Sequence, residues 1–155
     1  MNLEFMQEAI ALSLENVHAG RGGPFAAVIV KDGKIIGRGT NLVTSSNDPT
    51  AHAEIVAIRQ ACQHIRHFHL TDCEIYTTCE PCPMCLAAIY WARLRKIYYA
   101  NTRDDAAAIG FDDAFLYREI TLPHAQRAVH IEQILRSEAL EAFKLWKEKD
   151  DKIQY

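Results

Sequence analysis

The chain of 155 residues carries 17 basic and 20 acidic side chains, a formal net charge of −3 that offers no electrostatic excess for gripping a phosphate backbone. Its composition, 49% apolar and 24% charged, is that of an ordinary globular protein, and no apolar run approaches the ~20 residues needed to span a bilayer. A nucleic-acid partner held by bulk charge and a membrane-spanning helix are thereby excluded, and the length fits one domain, residues 1–155, with a sizeable core.

The opening residues Met1-Asn2-Leu3-Glu4 have neither the basic nor the apolar region of a signal peptide. Five cysteines is an odd number, and Cys79, Cys82 and Cys85 crowd into one short stretch beside prolines. That distribution favours metal binding or reactivity over a disulfide framework, and the cytoplasm is the expected compartment.

Leu3, Met6, Ile10, Leu14 and Val17 recur at helical spacing, and Gly20 sits where that helix stops. Gly22-Gly23-Pro24 interrupts the chain before an apolar, β-rich run from Phe25 to Val30. Asp32-Gly33 is a two-residue hairpin signal leading into a second strand from Lys34 to Arg38. Asn41 to Asp48 reads as a polar loop, and Asp48-Pro49 as the N-cap and first position of a helix through Cys62. A third strand spans Glu74 to Thr78, and Pro81 opens a helix that reaches Trp91. Lys96 to Ala100 is a fourth strand, followed by a loop and a short helix around Asp112 to Tyr117. Val129 to Leu135 has the pattern of a fifth strand, and Ser137 caps a final amphipathic helix bearing Leu140, Phe143 and Trp146. Strands alternating with helices predict an α/β layered sheet. From Arg127 to Tyr155 six basic residues face six acidic ones, so there is no basic tail, and a small, weakly charged substrate fits better than a nucleic acid.

Cys82 and Cys85 lie three apart on a predicted helix and so share a face. The start of that helix offers free amide donors and the positive end of its dipole, both of which stabilise thiolates. With His52 as a third ligand, one zinc ion per chain would keep a position open for water, the catalytic rather than the structural arrangement. Zinc lowers the pKa of such a water from ~15.7 towards ~7, giving a hydroxide nucleophile at neutral pH. Glu54 is the natural proton carrier. At ~100° per residue, positions two apart point to opposite sides of a helix, so His52 and Glu54 share a site only at a helix start. Cys79 makes a second C-x-x-C with Cys82, but it precedes the helix on the outgoing strand and is expected to face elsewhere. His64, His67 and His69 read as a solvated helix end, and Cys62 and Cys73 as buried apolar cysteines.

His52-Ala53-Glu54 followed by Pro81-Cys82-x-x-Cys85 is the signature of zinc nucleobase deaminases, and the chain resembles the cytidine-deaminase-like superfamily. Within it the chain is similar to the compact bacterial guanine deaminases in Gly22-Gly23-Pro24-Phe25, in Thr44 to Glu54, in Cys79 to Arg93, in Gly110-Phe111-Asp112-Asp113 and in the terminal Tyr155. Leu116 to Asp150 departs most from that family's pattern. The resemblance implies a three-layer α-β-α sandwich around a central five-stranded mixed sheet. It also implies a homodimer whose C-terminal segments are exchanged, and hydrolytic deamination of guanine to xanthine and ammonia by attack at C2 with Glu54 as proton shuttle. Carried over, Phe25 would stack on the purine, Asn41 would hydrogen-bond it, Asp113 would contact its polar edge and the partner subunit's Tyr155 would help close the pocket. A carboxylate is the acceptor that guanine's N–H donors want.

Two other readings compete. One is the same chemistry on cytosine, a nucleoside or tRNA adenosine, of which the last is disfavoured by the evenly charged tail. The other is a zinc-stabilised binding module without turnover, in which Glu54 would have no use.

Overall fold

The computed structural model describes residues 2–154, and the chain forms two compact units that meet in sequence between Asp113 and Ala114. In the first unit α1 (Leu3–His18) starts under an Asn2 cap whose side chain accepts from the Glu4 amide at 3.0 Å. β1 (Ala26–Lys31) and β2 (Lys34–Thr40) form the expected hairpin, with Asp32 at φ 48° and Gly33 at φ 73°, the left-handed pair that a tight two-residue turn requires. A one-turn helix, α2 (Val43–Ser46), interrupts the predicted polar loop, and α3 (Ala53–Ile65) follows. β3 (Cys73–Cys79) pairs antiparallel with β1, and β4 (Lys96–Asn101) pairs parallel with β3. A parallel neighbour needs a crossover, which α4 (Pro83–Trp91) supplies. The sheet is therefore mixed, in the order β2-β1-β3-β4.

Successive strand residues face opposite sides, and the core divides accordingly. Val28, Val30 and Tyr76 pack with Ala9 of α1 on one face. Ala27, Ile29, Cys73 and Ile75 pack on the other with Ala53, Ala57 and Ala61 of α3 and Ile89 of α4. Helix, sheet and helices make the three layers expected, and β1 and β3 are buried on both faces because they lie in the middle. Cys73 is buried in this core and Cys62 packs against it, as apolar cysteines do. β2 approaches α3 so closely that a Cβ at Gly39 would stand 2.0 Å from the Ala53 carbonyl oxygen. That contact fixes the first turn of α3 against the sheet. Among the described residues no helix is long and apolar enough to cross a membrane.

Several boundaries differ from the sequence reading. α3 begins at Ala53 rather than at Pro49, because the Asp48 carboxylate folds its own turn: it accepts from the Thr50 amide at 2.8 Å and the Thr50 hydroxyl at 2.7 Å. α4 begins at Pro83, not Pro81. α5 (Arg103–Ala108) was not foreseen, although Thr102 and Asp105 spell and form a reciprocal capping box.

The second unit holds α6 (Ala114–Glu119), a 3-10 turn (His124–Gln126) and α7 (Arg136–Glu148). The predicted fifth strand is not formed. Residues 129–135 lie outside any helix or strand, and the sheet among the described residues has four strands. Alternating apolar residues give a segment the face of a strand, but only a neighbouring ladder satisfies its backbone. Leu135, at φ 50°, occupies the N-cap of α7, and Ser137 falls inside the first turn. No residue of α6 or α7 is buried.

Candidate metal centre and active site

Two helix starts meet at the site. His52 is the N-cap of α3 and Cys82 the N-cap of α4, both in extended backbone and neither using its side chain to cap. Imidazole and thiol are thus free to turn beyond the helix ends. Pro83 tolerates the first helical position because its missing N–H would have no partner there, and Cys85 follows one turn into α4. His52 Nδ1 lies 3.6 Å from Cys82 Sγ and 3.5 Å from Cys85 Sγ. Zn–S near 2.3 Å and Zn–N near 2.0 Å at a tetrahedral angle require a nitrogen–sulfur edge of about 3.5 Å. The spacing therefore fits zinc. Among the described residues these three form the only His, Cys, Asp or Glu group with ligand atoms close enough to hold a metal ion.

The three ligand side chains are strongly coupled. The Cys85 thiol donates to Cys82, and with the His52 ring and the Cys85 amide it pulls the Cys82 thiol down to about 4. Cys85 is pushed far up by that same donated bond, by burial and by the nearby Glu54 carboxylate. His52 is raised chiefly by its hydrogen bond to Cys82. The proton that Cys85 donates to Cys82 lies beside an imidazole, and a divalent ion would displace it on binding.

Glu54, two residues into α3, is buried beside this cluster, and burial pushes its carboxyl up while its own amide and Cys85 oppose the shift. The Thr77 hydroxyl donates to Glu54 Oε1 at 3.3 Å from the middle strand β3. Sequence reading missed Thr77. A threonine in a β-branched strand carries no local sign of a catalytic neighbour. Cys79, as expected, turns away: its sulfur faces the Thr102 carbonyl at 3.5 Å, and burial raises its thiol to about 11.

The residues expected at the purine lie on the surrounding loops. The Asn41 amide donates to the Phe25 carbonyl at 3.0 Å, so the two are joined. Asn41 is buried, and its Oδ1 accepts from the Gly23 and Val43 amides at 3.4 and 3.3 Å. Phe25 meets Phe111 edge to face, centroids 4.9 Å apart. In sequence Phe111 stands out only as part of the Gly110–Asp113 stretch. Asp113 is raised by partial burial and then by the charge of Cys82, which places its carboxyl within electrostatic range of the metal ligands. These loops border the cluster: Leu42 donates to the Ala51 carbonyl beside His52, and Ala26 donates to Thr78 beside Thr77. Tyr155 lies outside the described residues. His67 and His69 pair locally, the His69 amide donating to His67 Nδ1 at 2.9 Å.

Residues 1–101 match the cytidine and deoxycytidylate deaminase zinc-binding region. The chain is 53% identical to a guanine deaminase of Bacillus subtilis across the full length of both proteins. The crystal structure of the Bacillus subtilis guanine deaminase superposes with a TM-score of 0.96 at 52% identity, covering 100% of this chain and 99% of that one. A guanine deaminase from Nitrosomonas europaea has a TM-score of 0.68 at 36% identity, over 71% of this chain and 64% of its own. A tRNA-specific adenosine deaminase of Agrobacterium fabrum is 44% identical over only 56% of this chain and 57% of its own. With its zinc ligands in place and its whole length matched, this chain belongs to the cytidine and deoxycytidylate deaminase family of zinc enzymes, and within that family it sits with the guanine deaminases.

Proposed function

We propose that the protein hydrolyses guanine to xanthine and ammonia, with Glu54 carrying the protons. The observation that bears this reading is the buried Glu54 carboxylate beside the His52, Cys82 and Cys85 cluster. A structural zinc site has no need of an ionisable group held out of water, which is costly to bury. Full-length similarity to guanine deaminases supports the choice of base, and the tRNA-specific relative matches little more than half of the chain.

His52, Cys82 and Cys85 hold the metal. Bound zinc supplies the Lewis acidity that lets a water molecule lose a proton near neutral pH. Glu54 takes that proton and delivers it to the ring nitrogen as the water oxygen bonds to C2; it then takes the second proton from that oxygen and gives it to the amine, so the C2–N bond breaks, ammonia leaves and a carbonyl remains at C2. A carboxyl whose burial favours the protonated form is suited to holding the proton between these transfers. Phe25 stacks on the purine, and the Asn41 NH2 donates to it while Oδ1 stays tied to the Gly23 and Val43 amides. Asp113 accepts from guanine's N–H edge.

We further infer a homodimer in the cytoplasm, with C-terminal segments exchanged and the partner subunit's Tyr155 closing the pocket. Val129, Ile134, Leu135, Phe143 and Leu145 are all exposed in the second unit, more apolar surface than a lone segment of this size keeps in water. Cysteine ligands stay available to a metal where thiols are kept reduced, as in the cytoplasm.

The test is ammonia release from guanine, cytosine, cytidine and a tRNA substrate by zinc-loaded protein, with Glu54→Ala as the blank. Release from guanine alone, abolished in the variant, is expected. Turnover that survives in Glu54→Ala would remove the proton-carrying role, and turnover only on another substrate would remove guanine.

A further inference from the structure

We propose that Asn16, near the end of α1 and outside every motif, is the positioning residue that locks the two purine-contacting segments together. Asn16 is fully buried. Its side-chain amide donates to the Gly23 carbonyl and to the Asn41 carbonyl, each at 3.0 Å. One NH2 group therefore bridges the Gly22–Phe25 turn and the start of the loop after β2, which carry Phe25 and Asn41. Asn41 returns the link, its Oδ1 accepting from the Gly23 amide at 3.4 Å.

The packing around this bridge leaves no slack. A Cβ at Gly22 would stand 2.1 Å from the Asn41 carbonyl oxygen, so the two backbones touch. The Asn16 backbone is fixed as well, its carbonyl accepting from the Arg21 amide at 3.1 Å as the chain leaves the helix. Asn16 Oδ1, by contrast, is buried with no hydrogen-bond partner among the described residues. An apolar residue here would leave the Gly23 and Asn41 carbonyls without this donor, so the bridge depends on the side-chain NH2. The two donors are what the position needs. They set the separation of Phe25 and Asn41, and hence the width of the slot between an aromatic face and an amide.

This inference rests on Phe25 and Asn41 being purine contacts, and the experiment separates the two ideas. In zinc-loaded Asn16→Ala, amide hydrogen exchange is expected to accelerate across residues 22–43 while α4 stays protected. KM for guanine should rise about tenfold as the two contacts lose their alignment, with kcat changed much less and zinc still stoichiometric. Because part of its effect runs through the placement of the Asn41 side chain, Asn16→Ala added to Asn41→Ala should raise KM by less than the two separate effects combined. Unchanged exchange in residues 22–43 overturns the lock, as does an effect of Asn16→Ala that adds in full to that of Asn41→Ala. Accelerated exchange with unchanged KM keeps the lock and removes Phe25 and Asn41 from the purine. Should Asn16→Ala fail to fold, Gly22→Ala forces the same segments apart with Asn16 intact, and it must give the same exchange and KM changes.

Discussion

His52 and Cys82 are each the N-cap of a helix, and their ligand atoms stand 3.6 Å apart. Two helix starts directed at one point bring free amide donors and positive dipole ends to a site that holds negative sulfur. The same placement resolves a geometric difficulty. His52 and Glu54, two apart, would diverge on a continuous helix, but with His52 just outside α3 and Glu54 inside its first turn both reach the same centre.

Removal of zinc should expose an unusual thiol. With Cys82 held down at about 4 and Cys79 raised to about 11, chelated protein is expected to alkylate first at Cys82. A lowered pKa keeps the thiolate as pH falls, so that rate should stay nearly flat between about pH 8 and about pH 6, where an ordinary cysteine slows on the order of a hundredfold. Peptide mapping after iodoacetamide treatment at several pH values measures it. A rate falling like that of an ordinary thiol would contradict the donation from Cys85 to Cys82.

Asp113 gives a second pH signature. Burial raises its carboxyl, so it becomes protonated earlier on acidification than an ordinary aspartate and loses its capacity as a pure acceptor. KM for guanine should therefore rise as pH falls through that raised value. Asp113→Asn should lower kcat/KM about a hundredfold and flatten the acid limb of the KM profile. An acid limb that persists in the variant assigns it to another group.

Thr77→Val keeps the shape of the side chain and deletes its hydroxyl. The carboxylate it addresses then loses one donor, and kcat should fall about fivefold, the equivalent of about 1 kcal/mol, with KM little changed. Thr77→Ser should restore most of the rate. Steady-state kinetics on the two variants decide it, and a rise in KM without loss of kcat would place Thr77 in binding instead.

Gly39→Ala tests how the fold sets the site. The new methyl would meet the Ala53 carbonyl 2.0 Å away, a backbone atom that moves only if α3 moves. Overpacking of this kind costs about 1–3 kcal/mol. Because Ala53 lies between His52 and Glu54, the variant should also release zinc to a competing chelator faster than the parent. Thermal melts and chelator competition measure the two effects, and a lower melting temperature with unaltered zinc release would separate sheet packing from metal geometry.

The sequence by itself determined the chemistry: which residues supply two sulfurs, an imidazole and a carboxylate, and that strands and helices alternate around them. Those features are local, because ligand spacing, hairpin glycines and apolar periodicity act over a few residues. The helix starts were displaced by a few residues because Asp48 and Pro81 carry capping signals, yet the His52 and Cys82 backbones mark where each helix begins. Residues 129–135 show the limit most plainly, since an alternating pattern says which face a strand would have and nothing about a neighbour to pair with. Thr77, Phe111 and Asn16 were decided only by tertiary structure. Each acts through a partner 23, 86 or 25 positions away in the chain, Glu54, Phe25 and Asn41 respectively, and such pairings exist only once the sheet has brought the segments together.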